Sequence, residues 1–125
     1  MQAIVDYNAS ILERIDALLV QLYDEDYARP SPLLFGSSIG QHFRHILEFY
    51  GCLLMRDGAS FSYDRRTRDP RLEQEVSAAR GSCRASILLL QEISTDQALE
   101  MESELPDTPL WSVQRTTLKR ELAYL

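Results

Sequence analysis

The chain returns an apolar side chain every three or four residues over three separate stretches, a period that commits most of its length to helices packed through one face. Over residues 3–24 the stripe is Ile4, Ile11, Ile15, Leu18 and Leu22, widened by Leu12 and Leu19, with Glu13, Arg14, Asp16 and Gln21 opposite. Pro30 and Pro32 stop this helix, because proline lacks a backbone donor and clashes with the preceding turn. The second stretch, 39–57, opens with Ser38 and Gln41, the S-x-x-Q pattern in which each side chain satisfies the other's backbone N–H. Phe43, Ile46, Leu47, Tyr50, Leu53 and Leu54 form its stripe, and Gly58 closes it. The third, 70–93, has Asp69 as cap and Pro70 at its first position, then Leu72, Val76, Ala79, Cys83, Ile87 and Leu90. Gly81 in its middle costs about 1 kcal/mol against alanine and predicts a close approach by a neighbouring helix.

The pattern changes after Ile93. Leu99, Met101 and Leu105 alternate with polar residues, PDTP turns the chain, and Leu110, Trp111 and Val113 follow, so a short hairpin is expected over 98–114. Thr116 or Thr117 caps a last helix over 117–125. These elements predict one mostly helical domain spanning 1–125 with a small hairpin attached.

A chain of 125 residues suits a single domain with its own core. No stretch reaches the roughly 20 apolar residues of a membrane span, so no membrane association is expected. The first residues lack a basic region followed by an apolar run, and the two cysteines, Cys52 and Cys83, form no metal-ligand spacing. Lone thiols fit a reducing compartment, which predicts a cytoplasmic protein. A net charge of −6 argues against a nucleic-acid partner. Twelve of the thirteen cations are arginine, and Arg65, Arg66, Arg68 and Arg71 crowd one segment.

Both histidines lie in GQHFRHILEFY. His42 and His45 stand about 60° apart on one side of the helix, flanking its apolar stripe, where an imidazole can reach an interhelical space. A histidine on a helix flank is more often a satisfied polar residue than a ligand, and a transition-metal site needs three or four donors. Cys52 lies about 10 Å along the helix axis from His45, too far for direct activation, and reads as a small buried hydrophobe. Arg65, Arg66 and Arg68 are candidates for gripping an anion, since guanidinium pairs well with carboxylate and phosphate. The competing and favoured reading pairs them with Glu48, Asp57, Glu73 or Glu75, pinning the loop to the helices.

The run SSIGQHFRHILEFYGCLL, then YDRRTRD, then RTTLKRELAYL, resembles the DinB-like superfamily, in order and over most of residues 1–125. The resemblance implies an all-α fold, an up-and-down four-helix bundle binding a divalent metal such as zinc or nickel. It makes His45 the metal ligand of the second helix, with His42 as an accessory residue, in an ancestral hydrolase or thiol-transferase scaffold whose relatives include enzymes that transfer or use low-molecular-weight thiols and many proteins with no assigned activity. In that family an H-x-x-x-H pair on the last helix completes the site. This sequence stops at Leu125, short of where the pair would fall, so the resemblance implies a truncated chain or a lost site. Apolar faces shaped for a fourth helix would then be left open, which predicts a homo-oligomer. The alternative to a metal-binding protein is a non-enzymatic interaction module that oligomerises or receives a partner helix.

Overall fold

A computed structural model of the chain describes residues 1–66 and 68–125; Thr67, inside the YDRRTRD loop, lies outside the described residues. The first apolar stripe forms α1 (Gln2–Leu19), shorter than the expected 3–24. The N–H groups of Gln21 and Leu22 turn back to carbonyls three residues earlier, and Tyr23 is extended, so the chain breaks before α2 (Asp24–Ala28). This break delivers Tyr27 into the core, where it is fully buried and its hydroxyl donates to the Leu72 carbonyl. Pro32–Leu34 make a 3₁₀ turn, and Phe35 and Gly36, both at positive φ, return the chain to Ser38.

Next comes α3 (Ile39–Leu54), opened by the complete capping box: the Gln41 N–H donates to Ser38 Oγ at 3.0 Å, and the Ser38 N–H donates to Gln41 Oε1 at 3.0 Å. After β1 (Ser60–Phe61), the expected helix over 70–93 is divided into α4 (Arg71–Gln74) and α5 (Val76–Gln91). Glu75 between them is extended, and Asp24 Oδ1 accepts the Val76 N–H at 2.9 Å. A residue of α2 thus satisfies a backbone donor at the start of α5, which lets a new helix begin there. The remaining elements are β2 (Ala98–Glu104), β3 (Trp111–Thr117) and α6 (Leu118–Ala123).

The strands overturn the all-α four-helix bundle. The hairpin runs past 114 to Thr117, pairing Ala98 with Thr117 through Glu104 with Trp111, and β1 adds in parallel with Ser60 opposite Glu100. The result is a three-stranded mixed sheet of order β1-β2-β3 on a helical body. Val113, Thr116 and Thr117 suit a pleated surface, and alternate placement sinks Leu99 into the core between exposed neighbours.

The core joins α1 to α5 through Val5, Leu12, Leu19, Cys83 and Leu90, with Leu47 and Leu53 of α3 closing it. Buried Asn8 knots three elements together. Its Oδ1 accepts from Tyr50 Oη at 2.6 Å, and its amide donates to Ile4 O in α1 and to Leu122 O in α6. The close helix–helix approach expected at Gly81 does not occur among the described residues: outside its own helix, none of their atoms stands within 4 Å of its Cβ position. It occurs instead at Gly40, where a Cβ would collide with the Glu73 carbonyl and push α4 away. Among the described residues, no helix is long and apolar enough to cross a membrane.

Candidate functional site

His42 and His45 are both on the exposed side of α3. The His45 ring lies 4.6 Å from Phe49, Phe49 stacks on Tyr63 at 4.8 Å, and Tyr63 Oη donates to Glu121 Oε1 of α6 at 3.2 Å. Partial desolvation and then the Arg66 guanidinium hold the imidazole below the ordinary histidine value; Arg44 and Arg68 add to this and Glu48 opposes it. Among the described residues, no three or more His, Cys, Asp or Glu side chains gather where they could hold an ion. The metal-binding bundle expected from the resemblance is thus not matched by a metal site, at His45 and His42 or elsewhere, among the described residues. A field of guanidinium groups around the one well-placed imidazole works against a cation as well.

The arginines divide by role. Arg65 Nη1 lies 2.6 Å from Glu102 Oε2 and its guanidinium covers the Trp111 ring at 3.9 Å, while the Glu104 N–H donates to Asp64 Oδ2 at 2.8 Å. These contacts fasten the loop to the sheet. Arg66 instead turns toward α3, 4.8 Å over the Phe49 ring, with its Nε 3.6 Å from Glu48 Oε1 and its side chain only 15% exposed. Arg68 is exposed.

At the centre is Glu48, a residue considered from the sequence only as one acid among four. Its side chain is 4% exposed, and Oε2 accepts the Asp69 N–H at 3.0 Å. Its Oε1 faces the Nε atoms of Arg44 and Arg66 at 3.7 and 3.6 Å, close enough to pair by charge and too far to hydrogen-bond. The buried atoms Glu48 Oε1, Arg44 Nε and Arg66 Nε consequently have no hydrogen-bond partner among the described residues. The signal for this cluster was a glutamate four residues after Arg44, on the flank of an apolar helix just before an arginine-rich loop.

Glu48, Arg65 and Arg66 border a cavity of about 500 Å³. Leu47, Met55, Phe61 and Leu72 supply its apolar wall, and Ser60, Ser62 and Ser82 supply hydroxyls. Arg56, Asp57 and Glu102 complete its charged lining, and Cys52 opens onto it. Burial pushes the Cys52 thiol above its ordinary value, so it stays protonated at neutral pH and is a poor nucleophile.

A second feature lies on the opposite flank of α3. On α1, Asn8 reaches α3 and Asp16 reaches α5 through Arg80 at 2.9 Å. Helical geometry then places Ile4, Ile11 and Leu18 on the side of Asn8 away from α5. By the same geometry Ile46 and His42 lie beyond Tyr50, away from Glu48. On these two rows Leu18 is 43% and Ile46 36% exposed. Beside Asn8 lies α6, with Leu118 and Leu122 buried and the Leu122 carbonyl accepting from the Asn8 amide.

Comparison with protein-family models, with curated proteins and with solved structures gives no match.

Proposed function

We propose that the apolar rows of α1 and α3 border a groove, and that this protein is a non-enzymatic interaction module that receives an amphipathic helix there. One observation carries the reading: α6, a short helix with leucines four residues apart, already lies against α1 and is tied there through Asn8. The apolar rows continue beyond it, so a second helix of the same pattern, laid end to end with α6, would find the same kind of seat. Helix-in-groove recognition of this type reads anchors at i, i+4 and i+7, the spacing of Leu118, Leu122 and Leu125. The DinB-like resemblance enters this proposal as a reading of descent for the helical part, and metal-dependent thiol-transfer or hydrolase chemistry is not part of it. A cytoplasmic setting, with Cys52 and Cys83 as free thiols, belongs to the same proposal.

The test is fluorescence anisotropy with a labelled, designed amphipathic peptide of about 15 residues, long enough to hold helix on binding, with leucines at the α6 spacing. Saturable binding is expected, weakened at least about tenfold by Ile46→Glu, which sets a charge among the anchors. Equal binding by that variant, or no binding by the native chain, defeats the proposal. Sedimentation of the protein alone separates a second outcome, in which the groove is covered by another copy of this chain.

A further inference from the structure

We propose that the cavity beside α3 binds a small monocarboxylate with an apolar body, gripped by the guanidinium of Arg66. This site is separate from the groove, on the other flank of the same helix.

Three arginines line the cavity, and they differ in what they already hold. Arg65 is committed to Glu102 and covers Trp111. Arg56 donates from Nη1 to the Leu53 carbonyl and from Nη2 to Gln97 Oε1, both at 2.6 Å. Arg66 alone of the three donates no hydrogen bond to a described residue, and its buried Nε has no partner. A guanidinium carries five N–H donors in a fixed fork, so leaving it without an acceptor in a half-enclosed space is costly. Two contacts fix its plane without consuming the fork: the Phe49 ring beneath it and the Glu48 carboxylate at its Nε. Glu48 does not neutralise Arg66 outright, because Arg44 Nε shares the same carboxylate oxygen. The result is a pre-oriented cation whose hydrogen-bonding end is claimed by no described residue.

The walls define what the cation takes. Arg56, Arg65 and Arg66 are balanced by Glu48, Asp57 and Glu102 around the same space. A single negative charge is accommodated there, whereas phosphate or a polyanion meets the three acids. Leu47, Met55, Phe61 and Leu72 offer an apolar surface for the remainder of the ligand. A cavity of about 500 Å³ is within the range of small-molecule sites.

Octanoate is a suitable probe, with inorganic phosphate as the comparison, and calorimetry on the full chain measures both. Reaction of Cys52 with a thiol reagent is the second readout, because Cys52 lines the cavity and Cys83 is fully buried. One octanoate per chain is expected, with slowed modification of Cys52 and weaker binding of phosphate. Arg66→Gln should weaken octanoate at least about tenfold, the scale of one lost charge-assisted hydrogen bond, and Arg68→Gln should leave it unchanged. If Arg66→Gln fails to fold by circular dichroism, Ser82→Leu fills the cavity from α5 with Arg66 in place, and it too should abolish binding. Absence of saturable octanoate binding in the millimolar range overturns the site. Undiminished affinity in Arg66→Gln, or in a folded Ser82→Leu, overturns it equally, and tighter binding of phosphate overturns the ligand class.

Discussion

The two faces that α5 and the 62–69 loop present to the rest of the molecule are built on different terms. Where α1 meets α5, Val5, Leu12, Leu19, Cys83 and Leu90 are all nearly or wholly buried, and the ion pairs from Asp16 to Arg80 and Arg84 stand at the rim. Where α3 meets the loop, charges are inside: Glu48, Arg44 and Arg66 are largely withdrawn from water, and each keeps a polar atom with no hydrogen-bond partner among the described residues. The first face draws its stability from apolar burial, roughly 25 cal/mol for each Å² removed from water. The second spends stability, because buried charges recover their desolvation cost only when every lone pair and proton is matched. An imperfectly matched polar cluster beside a cavity belongs to ligand recognition, and a dry, interlocked face belongs to folding.

The largest effect should come from the first face. Leu12→Ala removes a wholly buried side chain where helices are packed on several sides, and about 2–5 kcal/mol of stability should be lost. Urea unfolding measures this as a lower midpoint with unchanged slope. Octanoate affinity of the folded fraction should not move; if it falls with stability, the two faces are one cooperative unit and the division fails. Glu48→Gln should cost less, about 1–3 kcal/mol, since glutamine keeps the volume and can still accept the Asp69 N–H while Arg44 and Arg66 lose their shared counter-charge. A loss larger than that of Leu12→Ala would make the charge cluster the main support of the fold and reverse the comparison.

The same division explains how much could be read from the sequence. Helix periods, the Ser38–Gln41 capping box and the turn at PDTP are local, because the residues that specify them are within a few positions of those they act on. The third strand is not local. Ser60–Phe61 lies in a polar run too short to alternate, and it becomes a strand only because Glu100 donates its N–H to the Ala59 carbonyl at 2.8 Å. The break at Glu75 is likewise made by Asp24, 52 residues away from the N–H it accepts. At the site, the arginines were visible as a cluster, but their separate roles depend on which acid each one finds. Arg65 met Glu102 on β2, and Arg66 met Glu48 on α3. The histidine pair drew attention by composition and resemblance, yet the fold supplies it with aromatic and cationic neighbours in place of further donors.

The smallest expected effect concerns His45, and it tests how tightly the charged face is coupled. In the folded chain its imidazole takes up a proton at lower pH than the usual histidine value of about 6.5, through desolvation and then the nearby Arg66. As pH falls through that value the unfolded chain therefore gains its proton first. Stability linked to His45 is complete above this window and is lost as pH drops through it toward the folded value. The ring is exposed, so the unfolding midpoint should shift only slightly, and NMR titration of the imidazole is the sharper measurement. Arg66→Gln should move the His45 titration upward toward the usual value, because one repelling charge is gone. Saturating octanoate should move it in the same direction by placing a carboxylate against that charge. If His45 titrates at the same pH in the native chain, the variant and the octanoate-bound form, Arg66 does not act on the exposed side of α3, and the cavity and the histidine row are electrically separate.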